Sequence, residues 1–169
     1  MSKLLNSQQC LKALKYLRNE NNTDKLINIL CDVIEYAYLA DNRPWIIGYS
    51  GGKDSTTVCH LVFETLIRLK NRNIKLHKPV YIVSSDTLVE NPLVLNYLKT
   101  TSDLMSQSAE QLGLPIFADI VKPELQDTFW TCVIGKGYPT PKSIGYRWCT
   151  DRLKINPSNK YIKEKIKEN

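Results

Sequence analysis

An apolar run, Trp45-Ile46-Ile47-Gly48-Tyr49, passes directly into Ser50-Gly51-Gly52-Lys53-Asp54-Ser55. Helical spacing of Val58, Leu61, Val62, Thr65, Leu66 and Leu69 starts at once behind it. A strand turning into a helix through two adjacent glycines restricts the chain to α/β architectures. The glycines tolerate positive φ and remove the Cβ atoms that would hold a ligand off the backbone. The helix behind them offers unpaired N–H groups and the positive end of its dipole, a combination that suits phosphate. Lys53 adds a point charge, and Ser50, Ser55 and Thr56 add hydroxyls. Hydrogen bonds to charged groups contribute about 1.5–3 kcal/mol each, so a handful of such donors can hold a di- or triphosphate. The competing reading is a plain glycine turn. Lysine, glycine pair and flanking serines all coincide with the strand-to-helix switch, which favours the phosphate site. The spacing before the lysine differs from the Gly-x-x-x-x-Gly-Lys-Ser/Thr loop of common ATPases.

The rest of the chain repeats the alternation. Residues 7–19 and 23–41 show apolar spacings of three and four, predicting two helices with Asn22 or Thr23 capping the second. Strands are expected at about 44–49, at 79–84 and within 114–121, with helices over about 54–70, from Asn91-Pro92 to about Leu112, and over Leu125–Ile134. The β-branched run Pro79-Val80-Tyr81-Ile82-Val83-Ser84 has the pattern of a parallel strand buried on both faces. A glycine- and proline-rich loop follows over 135–146, and Pro157 is expected to open the last helix. The predicted fold is a doubly wound parallel α/β sheet of Rossmann-like type with two N-terminal helices. Residues 1–42 form a helical segment and 43–169 a nucleotide-binding domain. Three strands are few for a complete sheet of this kind, so a fragment of a longer protein is expected.

No run of apolar residues is long enough to cross a membrane, and Met1-Ser2-Lys3-Leu4-Leu5-Asn6 lacks a signal-peptide core; a cytoplasmic location is expected. The five cysteines are scattered with no Cys-x-x-Cys pair, arguing against a disulfide framework. Cys10, Cys31, Cys59 and Cys132 fall in apolar helical patterns and read as core. Cys149 alone sits in a polar, arginine-flanked stretch. From Lys136 onward nine bases face three acids, so the entire surplus of +6 lies in this last stretch. A polyanionic partner is one reading, and a lysine-rich solvated helix is the other. His60 and His77 have no partner spacing that would make either a metal ligand.

Ser50-Gly51-Gly52-Lys53-Asp54-Ser55 matches the Ser-Gly-Gly-x-Asp-Ser loop of the PP-loop ATP pyrophosphatases and phosphoadenylylsulfate reductases. Arg147-Trp148-Cys149-Thr150-Asp151-Arg152-Leu153-Lys154 resembles the reductase-like members. Together with Asp86-Thr87-Leu88-Val89-Glu90-Asn91-Pro92 and Gly137-Tyr138-Pro139-Thr140-Pro141, it resembles the DndC family of DNA phosphorothioation sulfurtransferases, over about Trp45 to Ile162. The related SspD type is a near alternative. The resemblance implies an adenine nucleotide alpha hydrolase-like fold and cleavage of Mg2+-bound ATP between the α- and β-phosphates. It also implies DNA as partner, and a cysteine desulfurase or another sulfur-transfer protein as sulfur source. Family members carry a 4Fe–4S cluster. The cysteine matching Cys149 is one ligand and the others lie further downstream, so an incomplete cluster is expected here.

Under that resemblance Ser50, Gly51, Gly52, Ser55 and Thr56 cradle the leaving pyrophosphate and Lys53 neutralises its charge. Asp54 either caps the helix or holds magnesium. Asp86 or Thr87 meets the adenosine or a magnesium ion, unless Asp86 only caps a turn. Arg147, Arg152 and Lys154 surround Cys149 with positive charge, which lowers a thiol pKa and suits phosphate contacts; solvated surface arginines are the alternative. Cys149 is a cluster ligand or a sulfur carrier. Two other functions compete: a phosphoadenylylsulfate reductase using Cys149 as nucleophile, and a non-catalytic DNA-binding module retaining a nucleotide pocket.

Overall fold

A computed structural model describes residues 22–141 and 147–168. Helix α1 (Thr23–Leu39) leads to strand β1 (Trp45–Gly48), helix α2 (Lys53–Asn71), strand β2 (Val80–Ser85), helix α3 (Pro92–Gln111) and strand β3 (Ile116–Val121). The expected helix over 7–19, with Cys10, lies outside the described residues. The sheet is three-stranded, open and parallel in the order β1-β2-β3, with Gly48 opposite Val83 and Ser85 opposite Val121. Successive parallel strands joined by helices follow the right-handed crossover rule.

Each boundary has a local cause. The Asn22 side chain accepts the Lys25 N–H at 3.1 Å and caps α1. Asn91 does the same for α3, accepting from Leu93 N–H at 2.9 Å, with Pro92 pre-set for the first turn. Helix α2 ends through Asn73 at φ +58°, a residue that tolerates the left-handed region.

The strands sort their side chains by alternation. Val80 and Ile82 of β2 face α1, α2 and α3, where they meet Tyr38, Val62, Leu66, Leu69, Leu98 and Leu114 in the main core. Tyr81 and Val83 face the opposite side and pack with Val121, Ile46 and Tyr161. Every β2 residue from Val80 to Ser84 is buried, as its β-branched run requires. Full burial of one such aliphatic side chain contributes about 1.5–3 kcal/mol.

One expectation is corrected and another is extended. Residues 125–134 are not one helix but a 3₁₀ turn (Leu125–Asp127) and a π turn (Thr131–Gly135), separated by Thr128, whose extended backbone breaks the helical path. The last α-helix opens at Asn156 with Pro157 in its first turn, but it continues a helical run that begins earlier. That run starts with α4 (Trp148–Thr150), passes through a π turn (Asp151–Ile155) and continues as α5 (Asn156–Glu168). Proline cannot donate to an i−4 carbonyl, and the wider π turn just before it lets the run continue past Pro157. Helix α5 covers the sheet face opposite α2 and α3, so the sheet is sandwiched.

Lys78 anchors the end of the sheet remote from the glycine loop. It is 1% exposed, with its ammonium 3.0 Å from Asp41 and over the rings of Tyr38 and Trp45, 5.0 and 4.8 Å from their centroids. The Tyr38 hydroxyl donates to the Lys78 carbonyl at 2.7 Å. One buried cation thus ties α1 to the starts of β1 and β2. Hydrogen bonds from Arg43 and then Lys78 hold the pKa of the Asp41 carboxyl down at about 2, below the ordinary carboxylate range. A depressed folded-state pKa gives stability that is present above about pH 4 and lost as pH falls toward 2. Asp41→Asn is expected to lower Tm at neutral pH and to flatten the fall of Tm between pH 4 and 2. Parallel Tm profiles for the two proteins would contradict this role.

Candidate functional site

The chain leaves β1 through buried Tyr49 and reverses at Gly51, where φ is +75°. Helix α3 closes on this point. A Cβ on Gly51 would lie 3.0 Å from Leu98 Cδ2 and 3.1 Å from Tyr97 Cε1, so conformation and packing both demand glycine. Gly52 then takes the N-cap position of α2 and supplies no side-chain cap. The first intrahelical bond runs from Thr56 N–H to Gly52 O at 3.0 Å. The N–H groups of Lys53, Asp54 and Ser55 therefore have no intrahelical acceptor.

The hydroxyls arrange themselves around this end. Ser50 and Ser55 face each other with their Oγ atoms 3.3 Å apart, and Ser55 and Thr56 donate to the Gly52 carbonyl at 3.0 and 2.9 Å. These bonds fix the loop's carbonyl inward and leave its amides outward. Lys53 and Asp54 are exposed in the first turn, and neither side chain has a hydrogen-bond or ion-pair partner among the described residues. Burial pushes the Tyr49 phenol above its ordinary value, so it stays a neutral wall beneath the loop.

A cleft of about 370 Å³ opens beside the loop at the carboxyl ends of β1 and β2, where open α/β sheets bind ligands. Its walls include Gly48, Ser50, Ser85, Glu90, Lys154 and Ser158. Lys154 and Ser158 come from the helical run on the far side of the sheet. Their spacing of four puts both on one helix face. The sequence placed Lys154 beside Cys149; in the fold it reaches the cleft, with its ammonium 4.0 Å from Glu90 Oε1. Ser158 and Glu90 carried no such signal, apart from that spacing and the position of Glu90 after a strand end.

The other expected residues are placed as follows. Asp86 is 1% exposed; its Oδ1 accepts the Leu88 N–H at 2.9 Å, and Lys122 lies 3.7 Å from Oδ2. Its carboxylate holds a turn in which Leu88 sits at φ +62°, and it does not line the cleft. The turn-capping reading is the one this geometry favours. Thr87 is buried and donates to Glu90 Oε1 at 3.0 Å, orienting that carboxylate. Arg152 pairs with Asp127 and donates to the Tyr138 hydroxyl at 2.9 Å, with its guanidinium over the Tyr138 ring. Buried Trp148 stacks on Phe129 and donates Nε1–H to Pro139 O at 2.9 Å. Arg152 and Trp148 thereby fasten the Gly137-Tyr138-Pro139 loop to the helical run. Arg147 is exposed.

Cys149 is half-buried and does not line the cleft, whereas Cys31, Cys59 and Cys132 are buried. Burial pushes the Cys59 thiol up to about 11, as for an inert core cysteine. Among the described residues no three His, Cys, Asp or Glu side chains converge to hold a metal ion. Mg2+ makes a smaller demand, one or two carboxylates plus substrate phosphates, and Asp54 at the loop exit fits it.

No family model, curated protein or solved structure matches this chain. The site therefore rests on its own geometry: outward amides, one unpaired ammonium and a cleft at the strand ends.

Gly51→Ala is expected to lower stability in urea denaturation by about 1–2 kcal/mol, the cost of the left-handed conformation for a residue with a Cβ. It is also expected to weaken pyrophosphate binding. Gly135→Ala, where the added methyl meets only Thr131 Cγ2 at 3.7 Å, is the control for a tolerated site. Equal behaviour of the two variants would show that the Gly51 reversal is not demanding.

Proposed function

We propose that this chain is an ATP pyrophosphatase that adenylylates a DNA phosphate, the activating step of a DNA phosphorothioation sulfurtransferase. The observation that carries the reading is the uncapped amino end of α2 behind the Gly51 reversal, with Lys53 exposed in its first turn and Ser50 of the same loop lining a cleft at the strand ends. The DNA acceptor and the sulfur chemistry are supported by the motif resemblance and by the basic surplus after Lys136.

A non-bridging phosphate oxygen is a poor leaving group, so its replacement by sulfur requires activation. In the proposed first step a DNA phosphate oxygen attacks the α-phosphorus of ATP. The bond to the bridging oxygen of the β-phosphate breaks, and pyrophosphate leaves with the electron pair. The loop amides and Lys53 stabilise the charge that grows on the leaving group, being already oriented when it forms. Mg2+ bound to the phosphates supplies further neutralisation, with Asp54 as its protein ligand. Lys154 lines the cleft beside Glu90 and offers a positive charge there. A sulfur nucleophile, delivered by a cysteine desulfurase or another sulfur-transfer protein, then attacks the DNA phosphorus. AMP departs with the original DNA oxygen.

A reductase using Cys149 as nucleophile at this cleft gains no support from the geometry, because that thiol does not line it. The purified chain, incubated with ATP, Mg2+ and duplex DNA, is expected to release pyrophosphate. Lys53→Ala is expected to lower that release about 100-fold, the scale for loss of one preorganised charge-stabilising donor, with Tm unchanged. Release of orthophosphate, or turnover indifferent to Lys53, would overturn the reading.

A further inference from the structure

The basic surplus noted in the sequence acquires a place in the fold. Helix α5 carries Lys160, Lys163, Lys165 and Lys167. Tyr161 turns inward to the sheet, where it meets Tyr81 at 6.0 Å, and Lys165 lies over the Tyr161 ring at 5.8 Å. At 3.6 residues per turn, Lys160, Lys163 and Lys167 fall together on the side away from Tyr161. Lys160 is exposed and tethered to Glu124 at 2.7 Å. Lys163 and Lys167 are exposed and have no acid partner among the described residues.

Elsewhere many cations are neutralised: Arg43 and Lys78 by Asp41, Arg68 by Glu64, Arg72 by Glu35 and Arg152 by Asp127. Lysines in a final turn also favour the helix dipole, which accounts for Lys165 and Lys167. It does not account for Lys163, which lies before that turn, whereas Lys160 is paired with Glu124. The helical run that bears this stripe also supplies Lys154 and Ser158 to the cleft wall. From Lys160 to Lys167 the stripe spans about 10 Å at 1.5 Å per residue, roughly three nucleotide steps of one duplex strand.

We propose that the outer face of α5, through Lys160, Lys163 and Lys167, binds the phosphate backbone of duplex DNA. This deepens the preceding reading and rests on its DNA acceptor. The span and sign of the stripe match a phosphate backbone, and an acidic protein surface is the alternative occupant that the test separates.

The test is fluorescence anisotropy of a labelled DNA duplex with the full chain across a salt series. Lys163→Gln/Lys167→Gln, which keeps helix propensity close to wild type, is expected to reduce the slope of log affinity against log salt by about 0.9 for each lysine removed. Binding of an ATP analogue is expected to stay unchanged, since neither residue lines the cleft. Lys75→Gln, outside this stripe, is the control and is expected to keep the wild-type slope. An unaltered slope in the double variant overturns the α5 surface while leaving ATP cleavage intact. A reduced slope in a protein that cleaves no ATP keeps the surface and removes the chemistry. Displacement of DNA by polyglutamate at equal charge concentration overturns the proposal in favour of an acidic protein partner.

Discussion

The site depends on one unsatisfied end: α2 begins at a glycine and has nothing of its own to cap it. An N-cap serine or aspartate would normally take one of the first free N–H groups. Here the nearest hydroxyls, on Ser55 and Thr56, instead donate to the Gly52 carbonyl. The amides are left for something outside the protein. Helix α3 holds that arrangement by packing Tyr97 and Leu98 against Gly51, so the loop is fixed by the core and not by its own sequence alone. A preorganised set of donors needs no rearrangement when negative charge arrives, and that is the property a departing pyrophosphate requires.

The two faces of the sheet divide the remaining work. Helices α1, α2 and α3 bury the main core against Val80 and Ile82, which holds β1 and the loop in place. The opposite face is covered more thinly, by Tyr161 on a helix whose outer side is lysine-rich. The helical run containing α5 lines the cleft with Lys154 and Ser158 and turns its lysine stripe to the other side.

Strands, parallel pairing and the loop were legible in the sequence because each has a local cause. A β-branched run buried on both faces has no other economical conformation, and a glycine pair before a helical pattern marks the turn. The helix ends at Asn22 and Asn91-Pro92 were legible for the same reason. What failed to show was set by distant residues. The start of the last helical run at Trp148 depends on Phe129 and Pro139 holding the indole. The break at Thr128 is imposed by extended backbone that apolar periodicity could not reveal. Asp86 read first as a ligand, with a turn cap as the alternative, and its burial and its bond to the Leu88 N–H favour the cap. Lys154 was noticed for its neighbours in sequence, yet its ammonium points to a cleft formed by strands more than a hundred residues earlier for β1 and about seventy for β2.

The most direct measurement is a crystal structure of the chain soaked with a non-hydrolysable ATP analogue and Mg2+. The account predicts the β- and γ-phosphates within hydrogen-bonding distance of the amides from Gly51 to Ser55, with the Lys53 ammonium beside them. Phosphates seated instead in the second cleft, between Lys122, Arg152 and Lys160, with the α2 amino end bare, would contradict it.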